Sequence, residues 1–313
     1  MTAALTRRDA ALALAGAALA ALPPGRASAA QTLRVGIQKY GSLVLLRASG
    51  LLEKRLEPLG WRVEWRQFVS GPPLMEALGA GAIDVGTAGD TPPIFAQAAG
   101  VPLVYLGTEP PAPRGEAILV HEDSPIRTLA DLKGKKVAFN KGSNVHALYI
   151  ASLAKAGINP KDVTPVYLSP PDGRAAFERR SVDAWVIWDP FLAAAQAAVK
   201  TRVLVDGTGL AGNRQFYLGN KRFTDATIIQ ALRAAITDMD KQATADPKGA
   251  AAALAPGIGL PEPVVAVAVA RQTWNLQPVD QAVAAEQQRL ADTFFKLGLI
   301  PRAIKIADAL PGA

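Results

Sequence analysis

The sequence lacks cysteine altogether, and it has only two histidines among its 313 residues. The absence of cysteine excludes disulfide bonds, thiolate metal ligands, cysteine nucleophiles and any lipid attached through a cysteine. Two histidines are too few for a multi-histidine metal site, so we expect no metal and no cofactor. The serine-elbow motif of hydrolases, the phosphate-binding loop and the zinc-binding helix are also missing, and the sequence therefore predicts no catalytic residues.

Charge is sparse as well, because charged residues make up 19% of the chain and apolar residues 50%. This composition favours packed cores over disorder, and the length predicts two compact units. Three arginines and one aspartate in the first thirty residues contribute +2 of the net charge of +7. The remaining excess of +5 suits anionic ligands but is too small for a nucleic-acid-binding surface.

The N-terminal segment has the pattern of an export signal. Arg7 and Arg8 precede an apolar run over residues 10–22, which is too short to cross a membrane, and residues 27–29 fit a cleavage site. We therefore predict a signal over residues 1–29, with the arginine pair indicating the twin-arginine route and ordinary secretion as the alternative. Since no cysteine can carry a lipid, we expect a periplasmic protein that is not a lipoprotein.

Strand-like and helix-like patterns alternate in two blocks, which favours parallel sheets. A stiff Pro-Pro-Ala-Pro connector at residues 110–113 separates the blocks, and residues 213–218 indicate a return crossover. The chain is predicted to be helical from residue 225 onward. We therefore predict an α/β protein with two α/β lobes around a ligand cleft: lobe 1 over residues 30–113 and 214–313, and lobe 2 over residues 114–213.

Four predicted strands end in small or polar residues that lead directly into a helix. Helix N-termini offer free N–H groups and a positive dipole end, so each junction could bind an anion. The same residue types also serve as ordinary helix caps. Because open α/β sheets bind ligands beyond the carboxyl ends of their strands, we expect all four junctions to face the cleft. They comprise Gly41 and Ser42; Gly89, Asp90 and Thr91; Gly142, Ser143 and Asn144; and Trp188, Asp189 and Pro190.

Two further residues near these junctions are candidates. Trp188 lies three residues after Trp185 on one predicted strand, so the two side chains point to opposite faces. Trp188 is the candidate wall for the apolar part of a ligand, and the alternative is a tryptophan of the domain core. His146 lies in the first turn of a predicted helix and could face the cleft, and the alternative is a surface histidine.

Three stretches carry a family resemblance: Gly-Asp-Thr-Pro-Pro-Ile-Phe-Ala-Gln at residues 89–97, Leu-Lys-Gly-Lys-Lys-Val at residues 132–137 and Trp-Asp-Pro at residues 188–190. They resemble periplasmic solute-binding proteins for aliphatic sulfonates, in the nitrate/sulfonate/taurine group of ABC importers. The resemblance extends over nearly the whole chain after the predicted signal. The segment after the first strand departs from the family pattern because it carries the bulky Tyr40, which leaves the exact substrate open.

The resemblance implies a bilobed type II periplasmic-binding-protein fold and a binding protein rather than an enzyme. Such a protein captures an organosulfonate anion for sulfur acquisition and delivers it to an inner-membrane permease that is driven by a cytoplasmic ATPase. We expect a monomer and no nucleic-acid partner. The implied roles are sulfonate donors at Gln38, Thr91, Gly142, Ser143 and Asn144, a tail wall at Trp188 and a rim residue at Tyr217. Ser42, Gly89, Asp90, His146 and Asp189 are candidates through their positions at the junctions.

Other ligands and one other class of protein stay open. Taurine, nitrate or a thiamine-precursor pyrimidine could replace the sulfonate. Taurine carries an ammonium group and would need a carboxylate, for which Asp90 or Asp189 could serve, whereas nitrate would need a small pocket with little apolar wall. A pyrimidine synthase on the same fold is the enzymatic alternative, but those enzymes carry a cysteine-rich motif that this chain lacks.

Overall fold

The computed structural model describes residues 31–312 of the chain. The predicted export signal over residues 1–29 lies outside the described residues. Between residues 31 and 312, no helix is both long enough and apolar enough to cross a membrane.

Ten strands and eleven α-helices form within the described residues. The strands are β1 (Gln31–Ile37), β2 (Trp61–Gln67), β3 (Val85–Gly89), β4 (Leu103–Thr108), β5 (Glu116–His121), β6 (Lys136–Phe139), β7 (Thr164–Tyr167), β8 (Ala184–Trp188), β9 (Thr201–Asp206) and β10 (Gln215–Asn220). The helices are α1 (Ser42–Ser49), α2 (Leu51–Leu56), α3 (Gly71–Gly79), α4 (Thr91–Ala98), α5 (Asn144–Lys155), α6 (Pro170–Glu178), α7 (Phe191–Ala198), α8 (Ala226–Ala245), α9 (Pro247–Ile258), α10 (Glu262–Val269) and α11 (Gln281–Lys296).

The strands form two five-stranded sheets, one in each lobe. Their orders are β2-β1-β3-β10-β4 and β7-β6-β8-β5-β9. In the first sheet β10 runs antiparallel to both neighbours, and in the second sheet β5 does so. The other four strands of each sheet share one direction. The sheets are therefore mixed, and the prediction of parallel sheets is right only for those four strands.

The exceptions have a common cause. β5 and β10 are the strands that the chain enters immediately after crossing from one sheet to the other. The parallel strands end at the cleft, so a chain that arrives from the opposite lobe starts at that edge and must run back against them. The predicted crossover at residues 213–218 is therefore mostly strand β10. β9 was not predicted, and the lobe boundaries at residues 113 and 214 stay predictions.

Helices cover both faces of each sheet, which explains why the central strands are almost entirely buried. All six residues of β5 are buried. In the first lobe Leu33 and Val35 pack with α1, α8 and α9 on one face, while Leu218 packs with α3 and α11 on the other. In the second lobe Phe139 packs with α5, and Trp185 packs with α6 and α7. The helices fix the carboxyl ends of the strands at the cleft.

Candidate ligand-binding cleft

All four predicted junctions are real transitions from a strand to a helix. Helices α1, α4, α5 and α7 begin shortly after the carboxyl ends of β1, β3, β6 and β8, two in each sheet. None of these four helices has a side-chain hydrogen bond at its N-cap. N–H groups in the first turn of a helix have no partner within that helix, so α1, α5 and α7 offer donors at the cleft, although Ala193 in α7 already donates to Asp189. The first turn of α4 contains Pro92 and Pro93, which have no N–H to offer.

Residues from the β1–α1 connection, just before Gly41 and Ser42, and from the other three junctions line one cavity. The space in this cavity that the centre of a water molecule can reach is about 40 Å³. The cavity between the two lobes is therefore narrow. Five of the twelve predicted site residues line it, namely Gln38, Gly89, Asn144, Trp188 and Asp189. The other lining residues are Lys39, Tyr40, Val69, Gly115, Pro190, Phe191, Asn213, Gln215 and Gln272.

The lining combines neutral polar groups with an aromatic wall. Five side-chain amides can donate or accept hydrogen bonds without bringing a full charge. Lys39 and Asp189 are the charged residues of the lining, and Asp189 is paired with Arg271, which leaves an excess of one positive charge. No group of three or more histidine, aspartate and glutamate side chains within residues 31–312 is arranged to hold a metal ion. The cavity therefore suits a small monoanion with an apolar part.

Trp188 provides the aromatic wall. Its ring meets Phe191 edge-to-face, with the ring centroids 5.9 Å apart. Trp185 points to the opposite face of the sheet, where it is buried in the core of the second lobe. Trp188 lines the cavity and also packs partly against the core of the second lobe, and its contact with a ligand stays a prediction.

Asp189 and Arg271 form an ion pair between the lobes. Arg271 follows α10, which packs in the core of the first lobe, and its Nη1 lies 3.3 Å from Asp189 Oδ2 in the second lobe. Arg271 Nη2 also donates to Gln196 Oε1 at 2.7 Å, and Asp189 Oδ1 accepts from the N–H of Ala193. Burial raises the pKa of Asp189 to about 6, while Arg271 opposes the shift. At neutral pH the ionised pair holds the lobes together.

Asn144 lies where the two lobes and the return segment meet. Its Nδ2 donates to Glu116 Oε2 at 2.7 Å and to Asn213 Oδ1 at 2.9 Å. A β-carbon added at Gly89 in the first lobe would lie 2.8 Å from Asn144 Cβ, so only glycine permits this close approach. Glu116 is fully buried, and burial followed by the charge of Asp90 raises its pKa well above the usual value.

Three hydroxyl groups that were predicted to face the ligand are used inside the lobes instead. Ser42 Oγ donates to Asp240 Oδ1 at 2.5 Å, Thr91 Oγ1 to Asp90 Oδ1 at 3.0 Å, and Ser143 Oγ to the carbonyl of Asn140 at 2.7 Å. All three side chains are buried, and none lines the cavity. These residues therefore lie at the strand-to-helix junctions as predicted, but their hydroxyl groups point into the lobes and not into the cleft.

The other four predicted residues also lie outside the cavity lining. Asp90 is buried below its junction, and burial raises its pKa to about 7. His146 is buried among three phenylalanine rings, and its Nδ1 accepts from the N–H of Gly142. Burial lowers the pKa of His146 to about 4. Tyr217 is not at the rim, because its hydroxyl is buried and donates to Glu109 Oε1 at 2.6 Å.

Eight lining residues were missed by the sequence analysis, and a ninth, Pro190, was named at its junction but not as a binding residue. Lys39 and Tyr40 lie within a junction that was recognised, and Asn213 and Gln215 lie within the predicted crossover. The sequence therefore indicates that these four residues lie near the cleft, but it does not indicate that their side chains point into it. Gln272 comes from the C-terminal helical region, and nothing in its local sequence indicates that it reaches the cleft.

A buried carboxyl pair lies beneath the cleft and makes stability depend on pH. Glu109 accepts from Tyr217 and from the N–H of Asn275, and Asp240 accepts from Ser42 and the N–H of Leu276. Burial first, and then the neighbouring Asp240 carboxylate, raise the pKa of Glu109 to about 8. An unfolded glutamate has a pKa near 4.3, so between about pH 4.3 and pH 8 the Glu109 carboxyl is protonated in the folded state and ionised in the unfolded state. The stability it confers is present at low pH and is lost as the pH rises through about 8.

We therefore expect the melting temperature to fall between about pH 7 and pH 8, where an unfolded histidine, with a pKa near 6.5, is mostly neutral, as His146 is in the folded protein. Glu109→Gln should make this fall shallower, because the amide does not titrate. Glu262→Gln, at an exposed position, should leave the slope unchanged. Melting curves across the range decide the matter, and an unaltered slope in Glu109→Gln would contradict the assignment.

Comparison with known proteins identifies the family. The family described as NMT1/THI5 like matches the chain over residues 71–250. The chain belongs to the NMT1/THI5-like family. Within this family, an aliphatic sulfonates-binding protein of Escherichia coli strain K12 is 44% identical over 287 residues, which are 90% of this chain and 89% of that protein.

Two solved structures share the fold. The periplasmic aliphatic sulphonate binding protein SsuA from Escherichia coli superposes with a TM-score of 0.81 at 44% identity, covering 89% of this chain and 91% of the other. The alkanesulfonate-binding protein SsuA from Xanthomonas axonopodis pv. citri, bound to MOPS, superposes with a TM-score of 0.85 at 42% identity, covering 89% of this chain and 97% of the other. The predicted family resemblance and the bilobed α/β fold are confirmed.

Proposed function

We propose that this member of the NMT1/THI5-like family is an extracytoplasmic solute-binding protein that captures an aliphatic sulfonate in the cleft. It delivers the sulfonate to an ABC importer for sulfur acquisition. The observation that carries the proposal is the convergence of four strand-to-helix connections, two from each lobe, on one cavity with an aromatic wall. The names of the sulfonate-binding relatives support the same ligand class.

The chemistry of a sulfonate matches this lining. A sulfonate is a monoanion at any physiological pH, and its three oxygens accept hydrogen bonds. N–H groups at helix N-termini and neutral amides satisfy these oxygens without a full countercharge at contact distance, which keeps binding reversible. Trp188 and Phe191 offer apolar surface to the aliphatic tail.

The same likeness supports the cellular context of the proposal. The Escherichia coli structure is described as periplasmic, and we place this protein in the periplasm too. Its partners are then a permease in the inner membrane and the cytoplasmic ATPase of that importer. We propose that it acts as a monomer and is not an enzyme. The twin-arginine route and the lack of a lipid anchor stay predictions.

The alternative ligands fit the lining less well. Taurine would need a carboxylate for its ammonium group, but Asp189 is already paired with Arg271 and Ala193, and Asp90 does not line the cavity. Nitrate has no apolar part that could contact Trp188 and Phe191. A plain alkanesulfonate uses both the donors and the aromatic wall.

A ligand panel tests the proposal. Methanesulfonate, butanesulfonate, taurine, nitrate and an aminopyrimidine are titrated calorimetrically and compared by thermal shift. An alkanesulfonate at 100 times its Kd should stabilise the fold by about 2.7 kcal/mol. Tighter binding of nitrate or the pyrimidine than of both alkanesulfonates would overturn the assignment of the ligand class.

Trp188→Ala should weaken butanesulfonate more than methanesulfonate, because only the longer tail reaches across the lost ring. We expect an additional loss of roughly 1–3 kcal/mol for butanesulfonate. Calorimetric Kd values for both ligands measure it. Trp65→Ala serves as the control, because Trp65 packs in the first lobe outside the cavity and should leave the ratio of the two Kd values unchanged. Equal losses for both tails in Trp188→Ala would show that Trp188 does not contact the tail.

A further inference from the structure

One hydroxyl group in the cleft has no use within the protein. The predicted hydroxyl donors Ser42, Thr91 and Ser143 all bond to groups inside the lobes. Among the fourteen lining residues, Tyr40 is the one that carries a hydroxyl. Its Oη is buried and has no hydrogen-bond partner within residues 31–312.

Neighbouring groups hold the Tyr40 ring but leave its hydroxyl free. The ring packs against Trp274 in the first lobe, with centroids 5.9 Å apart and the planes tilted by 55°. Asp189 lies close enough to affect the titration of Tyr40, yet its oxygens are bonded to Arg271 and Ala193 instead. Burial, and then the charge of Asp189, raise the pKa of Tyr40 well above the usual value, so the hydroxyl keeps its proton at physiological pH.

A buried hydroxyl without a partner destabilises the folded protein, and such groups are uncommon unless a ligand or water completes them. The Tyr40 hydroxyl belongs to the β1–α1 junction, where the helix N-terminus also offers N–H donors. An aliphatic tail has no acceptor for a hydroxyl, whereas a sulfonate group has three. Of the two parts of the ligand, the charged end is therefore the one that can complete Tyr40.

We propose that Tyr40 Oη donates a hydrogen bond to a sulfonate oxygen and is a determinant of affinity for the sulfonate group. The proposal rests on the proposed function and deepens it, because it assigns the head group of the ligand to the β1–α1 side of the cavity. The residue that departs from the family pattern thus supplies the hydroxyl that the three recognised serine and threonine positions do not.

Tyr40→Phe removes the hydroxyl and keeps the ring. We expect the Kd values for methanesulfonate and butanesulfonate to rise by the same factor, roughly ten- to a hundredfold, as for a lost hydrogen bond to a charged group. The melting temperature without ligand should stay the same or rise, because an unpaired buried polar group has been removed. Loss of affinity without loss of stability distinguishes a ligand contact from a structural role.

Tyr149→Phe is the matched control. Tyr149 Oη is also buried without a partner, but its ring stacks on Phe139 inside the second lobe, at a centroid distance of 4.5 Å, outside the cavity lining. This variant should bind both sulfonates like the parent protein.

Parent-like binding of both sulfonates by Tyr40→Phe would overturn the proposal and leave the proposed function intact. A loss confined to butanesulfonate would also overturn it, because Tyr40 would then contact the tail. If the parent protein binds neither sulfonate, the proposed function itself has failed, and the proposal about Tyr40 fails with it.

Discussion

Asn144→Asp is expected to lower the affinity for alkanesulfonates about a thousandfold, because it adds a negative charge beside the bound anion. Two like charges about 4 Å apart repel by roughly 4 kcal/mol at an effective dielectric constant of 20. The carboxylate would also lose the donor that Asn144 Nδ2 provides to Glu116 and Asn213. Glu116 is itself a buried acid, so it cannot offset the added charge.

The melting temperature should also fall, because the variant leaves the buried Glu116 without its donor, while the favourable interaction of an aspartate with the dipole of α5 offsets part of this loss. Calorimetric titration with methanesulfonate, together with a melting curve, separates binding from folding. Asn159→Asp is the matched control. Asn159 caps a surface turn through Lys161, aspartate is an equally good cap, and the affinity should change by no more than about twofold. Binding by Asn144→Asp within a few-fold of the parent would mean that the anion does not lie near α5.

Arg271→Ala is expected to weaken binding about thirtyfold, mainly by faster dissociation. The substitution removes the contact between the lobes and leaves the carboxylate of Asp189, whose side chain is 4% exposed, without its cation. In measured interfaces, truncating one partner of a buried charge pair lowers the binding free energy by about 2–5 kcal/mol. Because the Arg271 side chain is partly exposed, we expect a loss near the lower end of this range, which corresponds to about thirtyfold in Kd. Without Arg271 the pKa of Asp189 rises further above its usual value, so near neutral pH part of this carboxyl is protonated, and only the ionised part repels an anionic ligand.

A double variant separates these two effects. Asp189→Asn combined with Arg271→Ala removes the buried charge as well, so the affinity should recover part of the loss. Stopped-flow dissociation rates and Kd values for methanesulfonate measure the change. Arg174→Ala breaks a surface pair with Glu178 on α6 and should leave both quantities unchanged, since such pairs contribute about 0–1 kcal/mol to folding alone. A double variant that binds more weakly than either single variant would mean that Asp189 contacts the ligand directly.

The four junctions could be predicted from sequence because a strand, a short polar turn and a helix are local patterns. Gly89 and Trp188 follow directly from such patterns, and both line the cavity. The two alternating blocks and their proline-rich connector predicted the bilobed arrangement that brings the junctions together, and the family resemblance implied the same architecture. The residues next to a helix start determine where that helix begins, and this does not depend on contacts with the opposite lobe.

Side-chain direction could not be predicted in the same way, because it depends on partners that are distant in the chain. Ser42 turns away from the cleft because Asp240, 198 residues later, accepts its hydroxyl. Arg271 and Gln272 reach the cleft because α10 packs in the first lobe beside α7 of the second. Likewise, the reversed strand β10 was taken for a connector, since nothing in its local pattern shows that it enters the sheet from the cleft edge.

A crystal structure with 2-bromoethanesulfonate tests the central claim most directly, because bromine scatters anomalously and marks the tail of the ligand. We predict tetrahedral density for the sulfonate between the β1–α1 and β6–α5 junctions, within hydrogen-bond distance of Tyr40 Oη. The bromine peak should lie against the ring of Trp188. Density for the ligand outside the space between the two sheets, or a bromine peak remote from Trp188 with the sulfonate turned away from the helix N-termini, would contradict this account.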